Sequence, residues 1–324
     1  MQKVFFRADA SKQIGYGHFV RSLALADMLK DDFECVFCTQ EPTPYQRQQV
    51  AEVCELRELP ADDSKFPLFL KMLKGDEIVV LDNFFYTLGY QQQIKAKGCK
   101  VVCMGGPDRQ YAADLILSQA TTDQSQFHSL PHTQYCLGLN WALLRRPFTQ
   151  HTPIERGKKQ PKRAVVCYGG TDFHNLTGQT VSALCKEHLL EHLDIIVGDV
   201  YDGKIDPCYC TNVALHRNLS AQQIVDLFDS NDIAILSSSS IAIEAMACGI
   251  PVIAGWYVDN QDAFYHFLER NRYIFGLGYL LTDSFAHNLI EAVSACNQFE
   301  YQKPFDDVRQ IPVRFVQIFK KFKK

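Results

Sequence analysis

A histidine that follows a glycine turn has the clearest potential for chemistry in this sequence. Gly15 and Gly17 bracket the turn, and His18 stands where apolar residues begin to recur at helical spacing. Imidazole titrates near neutral pH and can act as a general base, while glycines let a bound group approach the backbone. The helix start also offers N–H groups to an anion. The alternative is a loop histidine that only caps the helix.

The spacing of this turn excludes one class of ligand. A dinucleotide fingerprint needs three glycines in the pattern G-x-G-x-x-G, and Val20 occupies the third position here. The sequence therefore predicts no nicotinamide or flavin site.

Two later segments have the composition of anion-binding turns. Gly169, Gly170 and Thr171 follow an apolar run over 163–168, and a run that includes Ser238-Ser239-Ser240 stands where another helix begins. Backbone N–H and hydroxyl groups at such points can receive phosphate oxygens. Glu244 lies one turn later, where a carboxylate can accept both hydroxyls of a ribose. The alternative is an N-capping serine and a solvated glutamate.

Alternating strands and helices place these segments at sheet edges. Short apolar runs predict strands, and helical periodicity fills the intervals, which indicates parallel sheets that bind ligands at their carboxyl edges. The predicted strands after residues 4–6 cover 34–39, 77–82, 99–104, 114–117, 163–168, 193–197, 213–215, 232–236, 251–254 and the vicinity of residue 279. The predicted helices after the first cover 44–54, 62–74, 87–97, a segment up to about 192, 221–228, 262–270, 284–295 and 308–324.

The chain is long enough for two domains. Its 324 residues divide into a predicted first domain over 1–147, a linker over 148–161 that mixes proline, histidine and charge, and a second domain over 162–304. Residues 305–324 form a terminal segment whose helix often crosses back onto the first domain in such folds. Because each domain repeats a strand, glycine turn and helix, the halves look alike.

Composition limits the partners. Hydrophobic residues make up 47% and charged residues 22%, and the net charge of −4 favours neither nucleic acid nor an anionic membrane. The basic tip over 319–324 is interpreted as the solvated end of a helix. No stretch reaches the length of a membrane span and no signal-peptide pattern opens the chain, so a cytoplasmic protein with reduced thiols is expected.

Three patterns resemble metal motifs but do not favour a metal site. Cys35 and Cys38 fit C-x-x-C inside a predicted strand, where they face opposite sides. Cys208 and Cys210 lack matching ligands nearby. Residues 188–192 spell H-x-x-E-H at the end of a surface helix. We therefore expect neither a metal nor another cofactor.

The segments 7–11 and 14–26 resemble the amino-terminal signature of the UDP-sugar hydrolases of pseudaminic acid biosynthesis. These enzymes release UDP from UDP-2,4-diacetamido-2,4,6-trideoxy-β-L-altropyranose and look like relatives of MurG-type glycosyltransferases. Residues 169–177 resemble the second signature of the family, and 244–253 resemble the donor-nucleotide helix of the MurG-type enzymes. Weaker matches are the D-x-Y-like pair Asp82 and Tyr86, the run from Asp108-Arg109 to Gln119, the run 138–145 ending in Arg145, and Asn260-Gln261.

Two departures from the family pattern fall in loops expected to face the sugar. Asn83 replaces a histidine, and Met104-Gly105-Gly106 replaces an acidic pair. They leave the identity of the sugar open. The sequence does not specify the oligomeric state.

The resemblance implies a fold and a reaction. The fold is the GT-B type of α/β architecture, in which two Rossmann-like domains with parallel sheets face a central cleft. The reaction is hydrolysis of a UDP-linked diacetamido-trideoxy hexose by water attack at the anomeric carbon, with inversion. His18 would be the general base, Asp9 would orient its ring, and Arg21 would add a cation near the diphosphate. The remaining residues expected to bind UDP or sugar are Gly15, Gly17, Asp82, Tyr86, Arg145, Gly169, Gly170, Thr171, Ser238, Ser239, Ser240, Glu244, Asn260 and Gln261.

Two other functions remain open from the sequence. A glycosyltransferase of the same fold would use His18 to deprotonate an acceptor hydroxyl instead of water. A binding module without catalysis would hold the UDP-sugar only.

Overall fold

A computed structural model describes residues 1–11, 15–170, 172–198, 201–205 and 212–323. These residues form two compact units, the first made of 1–149 with 309–324 and the second of 150–308. Residues 12–14, Thr171, Cys208 and Cys210, which carried sequence-based expectations, lie outside the described residues.

The first unit contains a seven-stranded parallel sheet. Its strands are β1 (Lys3–Arg7), β2 (Glu34–Gln40), β3 (Glu55–Leu59), β4 (Ile78–Leu81), β5 (Lys100–Met104), β6 (Leu115–Ser118) and β7 (Gln134–Leu137). Their spatial order is β3-β2-β1-β4-β5-β6-β7. The helices are α1 (Gly17–Leu29), α2 (Pro44–Ala51), α3 (Lys65–Met72), α4 (Leu88–Ala96) and α5 (Arg146–Gln150). The alternation of strand and helix predicted from the periodicity is confirmed.

The second unit repeats this plan with a six-stranded parallel sheet in the order β10-β9-β8-β11-β12-β13. The strands are β8 (Arg163–Cys167), β9 (His192–Val197), β10 (Asn212–Arg217), β11 (Ile233–Ser237), β12 (Val252–Trp256) and β13 (Phe275–Tyr279). The helices are α6 (Leu176–Lys186), α7 (Ala221–Ser230), α8 (Ser240–Ala247), α9 (Asp259–Arg270) and α10 (Phe285–Ala295). Both units therefore have the doubly wound α/β architecture predicted from the sequence.

The terminal helix α11 (Ile311–Lys320) belongs to the first unit. It packs on α1. Phe319 lies edge-on to Phe33, which follows α1, with 6.2 Å between the ring centroids. Lys320 Nζ lies 2.7 Å from Asp32. Aromatic packing and an ion pair thus hold the end of the chain on the first unit.

Residue chemistry explains where several helices begin. Thr43 and Ser220 each form a reciprocal capping box with a glutamine three residues later, at the starts of α2 and α7. Pro44 at the first position of α2 needs no N–H partner.

Two strands were not predicted. β3 has the sequence Glu-Leu-Arg-Glu-Leu and lies at an edge of its sheet, where charged residues are tolerated and hide the strand pattern. β7 lies at the opposite edge and is only partly buried.

The H-x-x-E-H segment over 188–192 lies outside the helix that was expected to end with it. α6 ends at Lys186, His188 has a left-handed φ of 53°, and His192 opens β9. The side chain of His192 instead contacts the buried carboxylate of Asp194 at 3.1 Å. The two histidines therefore do not share one helix face.

The thiol expectation holds for most described cysteines. Free cysteines occur in both units, and Cys35 and Cys38 on β2 are both buried and free. Cys185 is disulfide-bonded, which corrects the expectation at that position. No helix in the described ranges is long and apolar enough to cross a membrane.

Close backbone contact in the second unit requires a glycine. A Cβ built on Gly198 would lie 2.8 Å from Gly170 Cα and 2.9 Å from its carbonyl carbon. Gly170 belongs to the turn after β8. Because Gly198 has no Cβ, this turn can pack directly against the backbone of Gly198.

We expect Gly198→Ala to lower the free energy of unfolding by about 1–3 kcal/mol, because the added methyl forces two backbone segments apart. Gly157→Ala is the matched control, since a Cβ there meets nothing within 4 Å. Urea unfolding of both variants measures the difference. Equal stability of the two variants would contradict this account of the turn.

Candidate functional site

Functional side chains of the first unit gather where β1 and β4 end. These neighbouring strands run parallel, with Arg7 opposite Leu81, and the crossovers from β1 and β4 lead to opposite sides of the sheet. Such a switch point opens a crevice at the carboxyl edge of a doubly wound sheet. Asp82 follows β4 directly, and the chain after β1 leads to His18 in the first turn of α1.

His18 contacts Asp82 there. His18 Nδ1 lies 2.7 Å from Asp82 Oδ1, and Arg21 Nε donates to Asp82 Oδ2 at 2.6 Å. Arg21 Nη2 also donates to Oδ1, and Ser22 Oγ donates to Oδ2 at 3.0 Å. Phe84 lies edge-on to the imidazole at 4.9 Å. One carboxylate thus accepts from three side chains of α1.

The electrostatics of Asp82 keep it ionised. Burial alone would raise the pKa of its carboxyl, but Arg21 and then His18 outweigh burial and lower the pKa from 3.8 to about 2. A carboxylate at Nδ1 favours the proton on that nitrogen and leaves Nε2 with the free lone pair.

Asp9 does not orient the imidazole, which corrects the sequence-based expectation. Its carboxylate is bonded to Arg7 through both oxygens, with Arg7 Nη2 donating to Oδ2 at 2.9 Å. It also accepts from the Gln40 N–H at 2.9 Å, and Lys65 Nζ lies 3.4 Å away. Asp82, expected to bind substrate, supplies the contact with the ring. The signal in the sequence was a carboxylate that closes a central strand.

Two glycines stand at the beginning of α1. Gly15 has a φ of 82°, which other residues rarely adopt, and its N–H donates to the Ser11 carbonyl at 2.8 Å. Among the residues that the structure describes, none lies within 4 Å of a Cβ built on Gly15 or Gly17. The N-cap residue Tyr16 does not cap α1 with its side chain.

A pocket of about 300 Å³ adjoins this carboxyl edge. The two departures from the family pattern reach it, since Asn83 and Met104 are among its walls. Tyr86 also lines it and is buried, with its ring 5.7 Å from the Arg7 guanidinium carbon. Arg145 lies elsewhere in the first unit, over the ring of Phe148 at 5.2 Å.

The second unit brings its predicted residues to the equivalent edge. β8 and β11 are neighbours, and Gly169-Gly170 and Ser238-Ser239-Ser240 follow them in the chain. Tyr257, after β12, donates its hydroxyl to the Tyr168 carbonyl at 2.5 Å and so links the ends of β8 and β12. Gly169 has a φ of 101°, which explains a glycine there.

The start of α6 is already occupied by the protein itself. Asp172 accepts from the N–H groups of Leu176 at 2.9 Å and Thr177 at 2.8 Å, and Asn175 accepts from Gly178 at 3.2 Å. The N–H groups at the start of α6 are therefore satisfied by side chains and are not open to an anion. The donors expected to receive phosphate were those of the Gly169-Gly170 turn and of Thr171, and Thr171 lies outside the described residues.

The start of α8 is different. The N-cap residue Ser239 does not cap the helix with its side chain, and its hydroxyl oxygen lies 3.2 Å from that of Ser237. Ser238 is 1% exposed, and its Oγ has no hydrogen-bond partner among the described residues. Such a buried hydroxyl costs free energy unless a ligand or water completes it.

The remaining predicted residues lie on α8 and α9. Glu244 is buried on α8. Asn260 and Gln261 lie in the first turn of α9, where Asn260 is exposed and the Gln261 side chain accepts from the Tyr257 N–H at 3.2 Å.

Solved structures share this architecture over the whole chain. The glycotransferase of kitacinnamycin superposes with a TM-score of 0.65 at 12% identity, covering 99% of both chains. Acinetobacter baumannii MurG gives 0.62 at 12% identity, covering 99% of this chain and 100% of that one. The chain has the GT-B fold.

Sequence comparison agrees with the predicted resemblance. The chain is 26% identical over 285 residues to the UDP-2,4-diacetamido-2,4,6-trideoxy-β-L-altropyranose hydrolase of Campylobacter jejuni, covering 84% of this chain and 97% of the relative. An uncharacterised protein of Methanocaldococcus jannaschii is 22% identical over 81% of this chain, which spans only 57% of that relative. No family model matches the chain.

Asp82→Asn tests the buried carboxylate of this GT-B protein. Because the folded-state pKa of Asp82 is about 2, below the ordinary 3.8, the carboxylate stabilises the fold above about pH 4 and this contribution is lost as pH falls through about 2. We expect the stability advantage of the wild type over Asp82→Asn to shrink by about 2 kcal/mol between about pH 5 and about pH 2.

Urea unfolding at several pH values measures this difference, with the exposed Asp31→Asn as the control. A pH-independent difference for Asp82→Asn would show that Asp82 is not held ionised by its neighbours.

Proposed function

We propose that the protein is a hydrolase that releases UDP from a UDP-linked sugar. The observation that carries this proposal is the His18–Asp82 contact at a switch point of a GT-B fold. Similarity to a hydrolase with that activity supports it. The proposed substrate is a UDP-linked diacetamido-trideoxy hexose, and the proposed pathway is pseudaminic acid biosynthesis.

The chemistry follows from the arrangement of the imidazole. His18 Nε2 takes a proton from water as the water oxygen bonds to the anomeric carbon, and the bond from that carbon to the diphosphate oxygen breaks. UDP leaves with the electron pair, and a single displacement inverts the configuration. Asp82 stabilises the imidazolium that forms, as the carboxylate does in a catalytic triad. We propose that the reaction proceeds without a metal.

Arg21 serves this step through Asp82. Its Nε and Nη2 are both bonded to that carboxylate, and its side chain is 29% exposed. The cation therefore offsets the burial of Asp82 and keeps it available to the ring. This role replaces the proposed contact of Arg21 with the diphosphate.

In this proposal the second unit holds the nucleotide. The start of α8, which Ser239 does not cap, receives phosphate oxygens, and the Ser238 hydroxyl, which has no hydrogen-bond partner in the described ranges, gains one. Glu244 accepts from the ribose hydroxyls, and the turn at Gly169-Gly170 lets the diphosphate approach the backbone. Asn260 and Gln261 approach the sugar and phosphate from α9.

The sugar belongs to the first unit in the same proposal. The pocket of about 300 Å³ combines polar walls such as Tyr86 and Gln110 with apolar ones such as Leu88 and Met104. A hexose with acetamido groups presents the same mixture of amide and methyl. Met104 in place of an acid makes this wall suited to a methyl group rather than a cation.

A glycosyltransferase is the second candidate, because solved glycosyltransferases share the fold. His18 would then take the proton from an acceptor hydroxyl. The two functions differ in whether UDP appears when water is the only acceptor.

We expect His18→Gln to lower UDP release from UDP-sugars, with no added acceptor, by at least about 100-fold, because the general base is lost. UDP affinity, measured by calorimetry, should stay within about threefold of the wild type since the imidazole does not hold the nucleotide. His287→Gln, whose side chain is 71% exposed on α10, is the control and should keep full activity. Turnover by the wild type only with an added acceptor would favour the transferase, and unchanged activity of His18→Gln would contradict both.

We expect Ser238→Ala to weaken UDP binding by about 2- to 12-fold, which corresponds to one hydrogen bond of about 0.5–1.5 kcal/mol. Ser294→Ala is the control, because Ser294 is exposed and bonded within α10 to the Ile290 carbonyl. Calorimetric titration with UDP compares them. Wild-type affinity in Ser238→Ala would remove α8 from the proposed nucleotide site.

A further inference from the structure

The side-chain amide of Asn83 is bonded to both backbone groups of Asp9. Asn83 Oδ1 accepts from the Asp9 N–H at 2.7 Å, and Asn83 Nδ2 donates to the Asp9 carbonyl at 3.1 Å. Asn83 is 7% exposed. A primary amide presents one donor and one acceptor side by side, so it pairs with a peptide backbone as an adjacent strand would.

This pairing lies where two strands separate. The backbone ladder between β1 and β4 ends as the Asp82 N–H donates to the Arg7 carbonyl at 3.1 Å. The next residue after Asp82 is Asn83, whose side chain continues the pairing to Asp9. The backbone contact between the two chain segments is thereby extended by a side chain.

Both segments lead directly to the proposed general base. One delivers Asp82, the residue before Asn83, and the other leads from Asp9 through Gly15 to His18. The point at which each segment leaves the sheet contributes to the separation of the imidazole and the carboxylate, together with the bonds from Arg21 and Ser22 to Asp82. Since the His18–Asp82 contact is 2.7 Å long, a displacement of either segment weakens it.

The far side of Asp9 is held independently. Its carboxylate is bonded to Arg7 and to the Gln40 N–H of β2. Asp9 is fully buried. Asp9 is the residue at which this segment leaves the sheet. Its side chain holds it towards β2, and its backbone is held towards β4 by Asn83.

We propose that Asn83 is a positioning residue for the His18–Asp82 pair. Its amide holds the backbone of Asp9, from which the chain leads to His18, against the segment after β4 that carries Asp82. Asn83 acts through the Asp9 backbone and takes no part in proton transfer. The proposal rests on the proposed function for its catalytic consequence, whereas its geometric consequence concerns the free protein.

Two substitutions separate the parts of this contact. Asn83→Ala removes both hydrogen bonds. Asn83→Asp keeps the shape and the acceptor for the Asp9 N–H but places a carboxylate oxygen against the Asp9 carbonyl, which repels it. Asn231→Ala is the matched control, since Asn231 is a buried amide of the second unit that donates to Asp194 at 2.9 Å and to the Leu227 carbonyl at 2.8 Å.

The first measurement follows the ring nitrogens of His18 by NMR of the substrate-free protein at one fixed pH, with His18→Gln used to assign the signals. Among the described residues, Asp82 and Arg21 contact His18 Nδ1. We expect Asn83→Ala and Asn83→Asp to change the nitrogen chemical shifts of Nδ1 and Nε2, because the contact between Nδ1 and Asp82 that favours one tautomer is displaced. Asn231→Ala should leave both chemical shifts unchanged.

The second measurement is steady-state UDP release. We expect Asn83→Ala to lower kcat by about 10- to 100-fold, as misplacement of a catalytic group does, with KM within about threefold of the wild type. Asn231→Ala should leave kcat and KM unchanged, even if it lowers the melting temperature as much as Asn83→Ala does.

Wild-type nitrogen shifts of His18 in both Asn83 variants overturn the proposal, as does an equal change in Asn231→Ala. If Asn83→Ala does not fold, the near-isosteric Asn83→Asp decides by the same criterion. If the wild type releases UDP from no UDP-sugar, the proposed function fails, while the NMR measurement still supports or overturns the role of Asn83.

Discussion

The site in the first unit depends on the burial of one carboxylate. Asp82 is fully buried, and an unpartnered charge at such a position costs several kcal/mol. Its side-chain partners His18, Arg21 and Ser22 come from α1, where positions i, i+3 and i+4 share one face. α1 can dock beside β4 only with this face towards Asp82. The need to satisfy the carboxylate therefore fixes the rotation of the helix and, with it, the direction of the imidazole.

The neighbouring carboxylate solves the same problem with different partners. Asp9 is bonded to Arg7, which is itself fully buried, and lies near Lys65. Each acid thus has its own cations, and neither can exchange partners without leaving a buried charge unpaired. This separation explains why Asp82 contacts the imidazole, although Asp9 is much closer to His18 along the chain.

Much of the fold followed from periodicity, whereas side-chain partners did not. Apolar runs and helical spacing predicted the central strands, because these are buried on both faces and cannot contain much charge. The edge strand β3 was not predicted because its charged residues interrupt the apolar pattern. The spacing of His18, Arg21 and Ser22 on one helix face was visible, but their common partner lies about 60 residues away in the sequence. The pairing of Asn83 with a backbone depends on strand order, which single-sequence patterns do not specify.

Two similar helix starts in the second unit show why a motif alone does not define an anion site. Both follow a strand and small residues, yet Asp172 places a carboxylate on the first N–H groups of α6, whereas the N-cap Ser239 does not cap α8. A phosphate at α6 would have to displace an acid that is already bonded and buried, and the two negative charges would repel. At α8 the same phosphate would instead meet a buried serine hydroxyl that has no hydrogen-bond partner within the described part of the chain. This difference supports the choice of α8 rather than α6 for the phosphates in the proposed function.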